Sequence, residues 1–187
     1  MTRNSDPRAT EHKRARPPMA DQAQQLRAAA AEGDAPAVEA LLAAGADAAA
    51  CDEAGTTALI EAARCNHHGC VRVLAQALKS ADQPQVDASD ENNLTALSYA
   101  AHLGHPESTM ALLDFGAEVD RGCSGGSTAL LLAAAEGHEQ VVEALLEALA
   151  STSTKDKEGE TALMKACAEG HAGVVSILMV KVRRARV

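Results

Sequence analysis

The sequence predicts an all-α fold, a solenoid of stacked helix-turn-helix units joined by hairpin-like loops. The triplet Thr-Ala-Leu begins at Thr57, Thr95, Thr128 and Thr161, at intervals of 38, 33 and 33 residues. Within each interval, apolar residues fall at helical spacing on both sides of a Gly-His or Asn-His break. One such helix pair cannot bury enough apolar surface to be stable alone, so the repeat predicts a linear stack of helix pairs.

Each part of the unit has a local signal. The Thr hydroxyl can accept a hydrogen bond from a free N–H group at the start of the first helix. The residue before the recurring His is Gly, or Asn66 once, and both tolerate the positive φ at which a helix ends. Pro36 and Pro106 open their second helices, where a missing N–H group costs nothing. The turn-rich segments between units, such as residues 45–55, are predicted to project as loops.

The chain divides into three predicted parts. Residues 1–20 are expected to form a disordered basic tail, residues 21–180 the repeat array, and residues 181–187 a basic C-terminal tail. About five units are expected, starting near residues 24, 51, 89, 123 and 155, and the first resembles half of a capping repeat. The second unit is five residues longer than the others, with its excess within residues 79–85.

Charge and hydropathy exclude two classes of partner. The net charge of the chain is −9, and residues 20–180 hold eight basic and 24 acidic side chains. Such a body repels polyphosphate, so we expect no nucleic-acid partner, and a basic protein segment is the better electrostatic complement. No apolar run approaches the roughly 18 residues needed to cross a bilayer, so we expect no membrane partner.

The cysteines and the basic N-terminal segment bear on localisation. The five cysteines are odd in number and irregularly spaced, which favours a reducing compartment over a disulfide framework. We therefore expect a cytoplasmic protein. The segment at residues 13–18 leaves nuclear import as an alternative to a solvated tail.

No motif indicates catalysis, and the candidate metal, cysteine and phosphate-binding sites are better explained by structural roles. Residues 65–70 combine two cysteines with two histidines, but Cys70 takes the place of a buried Val, so we interpret the segment as packing rather than a metal site. Cys167 replaces a packed Ala and is predicted to lie in the core. The glycines at residues 122–126 lack the Lys-Ser/Thr ending of a phosphate-binding loop. We expect no enzymatic activity, no cofactor and no metal.

The recurring positions resemble the ankyrin repeat family, whose unit is close to D-x-x-G-x-T-P-L-H-x-A-A-x-x-G-H-x-x-V-V-x-L-L-x-x-G-A-D. The resemblance covers about residues 21–180. It departs from the family at the Pro after Thr, which is Ala in every copy. It departs again at the His three residues after Thr, which is Ile60, Ser98, Leu131 or Met164. The hydrogen bond that this His usually makes between repeats is therefore not expected.

The resemblance implies a non-catalytic scaffold that binds another protein on a concave face, through its loop tips and the exposed positions of its first helices. Carried over by register, the partner-binding candidates are Glu53, Ala54, Thr56, Arg64, Glu91, Asn92, Leu94, His102, Leu103, Ser124, Ser127, Glu136, Lys157, Glu158 and Glu160. These positions vary between repeats while the framework does not, and lack of constraint is the alternative reason for that variation. The expected partner is a basic or amphipathic protein segment, because the groove is acidic in its end repeats and more apolar around Leu94, Tyr99, His102 and Leu103.

The last repeat raises an alternative. It ends in the apolar run at residues 174–180 without a polar outer helix, although a solenoid end usually needs a polar cap. This end could bind something, be capped by the basic tail, or mark a truncated form of a longer array, and we favour the truncated form. The alternative function is thus the regulatory region of a longer ankyrin-repeat protein. We expect a monomer unless the apolar end self-associates.

Overall fold

The computed structural model describes residues 19–80 and 85–184. Helices in this part of the chain are α1 (Met19–Glu32), α2 (Ala35–Ala43), α3 (Ala58–Arg64), α4 (His68–Lys79), α5 (Ala96–His102), α6 (Pro106–Asp114), α7 (Ala129–Glu136), α8 (Glu139–Glu147), α9 (Ala162–Ala168) and α10 (Ala172–Arg184). The all-α prediction is confirmed, and helical structure extends past the predicted array at both ends. The predicted N-terminal tail up to residue 18, the import segment within it, and residues 81–84 of the long loop lie outside the described residues.

The first helices begin at the recurring Thr, as predicted. The hydroxyls of Thr57, Thr95 and Thr161 accept hydrogen bonds from the N–H groups three residues later, over 3.2 to 3.4 Å. Each of these Thr residues has extended backbone, the usual conformation of a helix N-cap. Thr128 stands at the same position of the fourth unit, but its hydroxyl is buried and has no hydrogen-bond partner among the described residues.

The helix ends and the second helices also follow the predicted signals. Gly137 ends α7 with φ of 79°, and Asn66, which replaces the glycine once, has φ of 59°. Pro36 and Pro106 both lie in the first turn of a second helix. The Asn66 side chain has a role of its own, because its Oδ1 accepts a hydrogen bond from the buried Ser108 hydroxyl of the next unit.

The ten described helices form two layers. The first helices α1, α3, α5, α7 and α9 pack side by side, and the second helices α2, α4, α6, α8 and α10 form a parallel row behind them. One hydrophobic core runs through all the units and is built mainly from Ala, Leu and Val. Small alanines such as Ala62 and Ala100 are fully buried between the layers, which lets the helices approach closely. This continuous core is what the predicted stacking requires.

Histidines tie each unit to the one before it. The Nε2 atoms of His67, His105, His138 and His171 lie 2.8 to 3.2 Å from backbone carbonyl oxygens of the preceding unit, and a carbonyl can only accept. The first three of them are also the N-cap residues of second helices, at the predicted break between the two helices of a unit. The hydrogen bond between units was not expected from the sequence. It supplies the kind of cross-repeat link that the missing His of the Thr triplet would have made.

The fourth unit ends irregularly. Leu149 has φ of 66°, a left-handed conformation that suits glycine, and Gly45 and Gly116 take positive φ at the ends of α2 and α6. The Leu149 side chain is 78% exposed, so no packing compensates for the backbone strain. Across the residues that the structure describes, no helix is long and apolar enough to pass through a membrane.

Candidate partner-binding surface

Three of the four loops between units share a backbone turn braced by an Asp carboxylate. Asp52 accepts hydrogen bonds from two backbone N–H groups of its loop, at 3.0 and 2.8 Å. Asp90 and Asp156 accept the equivalent pairs, at 2.8 to 3.1 Å. The N–H group of Thr56 is the largest cause that lowers the pKa of Asp52, because it stabilises the charged form. Each brace holds its loop tip in a defined conformation.

Neighbouring loop tips are joined by backbone hydrogen bonds. The N–H group of Glu91 donates to the carbonyl of Ala54 over 2.9 Å, and that of Ser124 donates to Asn92 over 2.9 Å. The last link runs from Lys157 to Gly125 over 3.1 Å. The loops therefore form a continuous row. We call this row, together with the exposed ends of α3, α5, α7 and α9, the loop surface.

The loop of the fourth unit lacks the Asp brace. Cys123 occupies the position of Asp52 and Asp90, and it makes backbone hydrogen bonds alone, such as the one from its N–H group to Ser127, at 3.0 Å. The loop is held from outside instead, where the side-chain amide of Asn93 donates to the Ser124 hydroxyl over 3.0 Å. The glycine-rich loop at residues 122–126 is thus linked to its neighbour on the loop surface.

A buried carboxylate and a tyrosine brace the third unit. The Tyr99 hydroxyl, on α5, donates to Oδ2 of Asp90 over 2.7 Å. Burial, followed by this hydrogen bond, raises the pKa of Tyr99 to about 12, because both disfavour the phenolate. The pair links the loop to its own first helix, in the part of the loop surface that also carries Leu94 and Leu103.

The last unit uses a charged pair at the same register. The Lys165 ammonium, on α9, lies 2.7 Å from Oδ2 of Asp156 and 3.2 Å from Glu160. This ion pair is the main cause that lowers the pKa of Asp156 and raises that of Lys165. The carboxylates of Asp156, Glu158 and Glu160 converge within reach of a cation, but the lysine already lies among them. The arrangement is a braced loop whose charge is partly neutralised.

The predicted partner-binding side chains all lie on the loop surface, and none is buried. Eleven stand in the loops and four at the ends of first helices: Arg64, His102, Leu103 and Glu136. Leu103 is 40% exposed, and His102 Nδ1 lies 3.7 Å from a Glu136 carboxylate oxygen across α5 and α7. Arg64 is held by Glu61 of its own helix at 2.6 Å. Their role in binding stays a prediction.

The cysteine predictions had mixed outcomes. Cys70 is buried, as expected from its Val register, and burial raises the pKa of its thiol. The ring of His67 is hydrogen-bonded to Ala31 rather than turned towards Cys65. The prediction that Cys167 lies in the core is wrong: its side chain is exposed, because α9 is the last first-helix described and nothing packs on its outward face.

Sequence reasoning missed the side chains that brace the loops. Asp90 and Tyr99 form one such pair, and Asp156 and Lys165 another. In each pair the Asp lies five residues before the recurring Thr and its partner lies four residues after it. The sequence did contain a signal for these pairs, because the two positions vary together between units. In the fourth unit both change together, to Cys123 and Leu132, so an apolar pair stands where the neighbours have polar ones.

Comparison with known proteins agrees with this geometry. The family model described as ankyrin repeats (3 copies) matches residues 26–123, 77–156 and 112–185, which together span most of the chain. No curated protein matches the chain. The repeat period, the two-layer stack and the family match together show that the chain belongs to the ankyrin repeat family.

Proposed function

We propose that the chain is a protein–protein interaction scaffold that binds a segment of another protein along the loop surface. Ankyrin repeats are generally protein–protein interaction modules and generally non-enzymatic. The observation that carries the proposal is the continuous row of braced loops. Because its backbone is already fixed by Asp carboxylates and by hydrogen bonds between tips, little conformational entropy would be lost on binding.

The charge of the loop surface supports a basic or amphipathic partner segment. Exposed carboxylates occur in the second, third and last units at Glu53, Glu91 and Glu158, while the middle of the surface offers Leu94 and Leu103 as apolar contacts. Carboxylates at an interface raise the rate of association with a basic partner and weaken its binding at high salt. Apolar residues between them would supply the buried part of the contact.

The experiment is a comparison of two triple variants. One carries Glu91→Ala, His102→Ala and Leu103→Ala on the loop surface. Its matched control carries Glu39→Ala, Gln140→Ala and Glu143→Ala, all exposed on second helices. Partners captured from a cell extract by the unmodified chain are identified, purified and titrated against each variant by calorimetry.

We expect the loop-surface variant to weaken binding at least ~10-fold, since central contacts carry most of the energy of an interface. The control variant should change affinity less than ~2-fold, because exposed side chains outside an interface contribute little. Unchanged affinity for the loop-surface variant, or a loss confined to the control, would show that the partner binds elsewhere.

A further inference from the structure

A second surface of the molecule lies on the second helices. An open cavity of about 520 Å³ is formed by α4, α6 and α8, with apolar lining from Met110 and Ala144 and charged lining from Arg72, Glu107, Asp114 and Glu147. We call it the outer groove. Its volume lies in the range of sites that hold a ligand or a few side chains. All of its lining residues lie on α4, α6 and α8 or directly after α8, so the outer groove shares no residue with the loop surface.

Met110 is apolar at a position that is polar in the neighbouring units. The equivalent residues of the neighbouring units are Arg72, Glu143 and Ser176, so this outward position is otherwise polar. The Met110 side chain is 47% exposed although it sits in the groove lining. A single exposed apolar residue is ordinary on a protein surface. Within a cavity, at a position that is polar in the neighbouring units, it gives the groove an apolar contact point with a flexible side chain.

The charges around the groove are unbalanced. Glu107, Asp114 and Glu147 contribute three carboxylates and Arg72 a single guanidinium. The Arg72 Nη2 atom lies 3.8 Å from Oδ2 of Asp114, and both side chains are more than half exposed, so this pair is weak and easily exchanged. A net negative rim around an apolar contact point repels phosphate-rich ligands and attracts cationic ones.

We propose that the outer groove is a second docking site, which takes a protein segment that presents an apolar residue flanked by basic residues. The apolar residue packs on Met110 and Ala144, and the flanking cations pair with Glu107 and Glu147. The inference goes beyond binding on the loop surface. It lets one chain hold two protein segments at once, on its two opposite layers of helices.

The test uses a labelled six-residue peptide with two leucines flanked on each side by two lysines, and its counterpart with glutamates in place of the lysines. Binding to the full chain is followed by fluorescence anisotropy. We expect the lysine peptide to bind and Met110→Glu to weaken it at least ~10-fold, because a charge replaces the apolar contact. The double variant Glu107→Lys with Glu147→Lys should reverse the preference, so that the glutamate peptide binds better.

Two controls separate this site from the loop surface. Glu143→Ala changes the Met110 position of the next unit, and Glu91→Ala with His102→Ala and Leu103→Ala changes the loop surface; each should alter affinity less than ~2-fold. Thermal unfolding confirms that every variant is folded. Failure of the unmodified chain to bind the lysine peptide below about 1 mM, or loss of binding in the loop variant but not in Met110→Glu, overturns the proposal.

Discussion

Equivalent residues differ in burial between the interfaces inside the stack and the outward face of the last unit. Three residues after the recurring Thr, Leu131 is fully buried against the next unit, whereas Met164 is 50% exposed. Ala134 is buried and its equivalent Cys167 is exposed. The helices α7 and α9 both begin directly after the recurring Thr and differ in length by one residue, so burial here depends on the adjacent unit as well as on the unit itself.

The helix junctions show the same contrast. Gly137 and Gly170 both have φ of 79°. A Cβ atom on Gly137 would lie 2.5 Å from Nδ1 of His171, because the ring of the next unit packs directly on the glycine; a Cβ atom on Gly170 would meet nothing within 4 Å. An interior glycine is thus constrained by its own backbone and by its neighbour, and the last one by its backbone alone.

The largest expected difference in stability is between alanine variants of the equivalent residues Leu131 and Met164. Leu131→Ala should lower the free energy of unfolding by about 3 kcal/mol, because it removes buried apolar surface and leaves a cavity. Met164→Ala should cost about 1 kcal/mol or less, since its side chain is half exposed and no cavity forms. Denaturant unfolding of both variants measures the difference, and equal losses would contradict the comparison.

The two glycines give a matched pair with a smaller expected effect. Gly170→Ala should destabilise the chain by about 1 kcal/mol, the cost of an alanine in the left-handed region. Gly137→Ala should cost about 2 to 3 kcal/mol, because it also displaces His171 and its 2.8 Å hydrogen bond to Ala135. The shift in denaturant midpoint reports both values, and the order of the two variants is the decisive result.

These contrasts also show which parts of the structure were predictable. A Thr cap and a Gly with positive φ act within a few residues, so the local sequence was enough to place the helix starts at Thr57, Thr95 and Thr161 and the helix end at Gly137. The exposure of Cys167 was predicted wrongly because burial is decided by an adjacent unit, which a residue's own neighbourhood does not report.

The positions of the candidate residues were predictable from the sequence, but the hydrogen bonds that hold the loop surface in place were not. The register placed the fifteen candidates in the loops and at the helix ends, where the structure finds them unburied. The pairing of Asp90 with Tyr99 depends on a contact across nine residues, and the cross-unit hydrogen bond of His138 on one across 36 residues. The outer groove depends on three separate helices, and its one sequence signal was the apolar Met110 among polar equivalents.

The junction before the last unit offers a stabilising change. Leu149→Gly should raise the free energy of unfolding by about 1 kcal/mol, because it relieves a left-handed backbone at an exposed side chain that loses little packing. Thermal unfolding tests this, with Gly116→Ala as the reciprocal control, which should destabilise by a similar amount. A lower stability for Leu149→Gly would mean that the side chain packs in solution.

The smallest effect on stability comes from the brace of an interior loop. Tyr99 is the chain's single Tyr, so the ultraviolet absorbance of its phenolate can be followed alone. Its pKa should be about 12 in the folded chain, above the value of about 10 for an unfolded chain. The neutral form is thus favoured by folding, and this contribution is present below pH ~10 and lost as the pH rises through the folded value. Asp90→Asn should lower the pKa, and an ordinary value in the folded parent would contradict the brace.

The comparison as a whole is tested most directly by native-state hydrogen exchange, resolved by amide. If each unit is stabilised by the units packed against it, the amides of α5 and α7, which have neighbours on both sides, should need a larger opening free energy than those of α9. Leu131→Ala should lower protection in α7 and α9 together. Uniform protection from α5 to α9, or an effect of Leu131→Ala confined to α7, would contradict the account that burial between units holds the stack together.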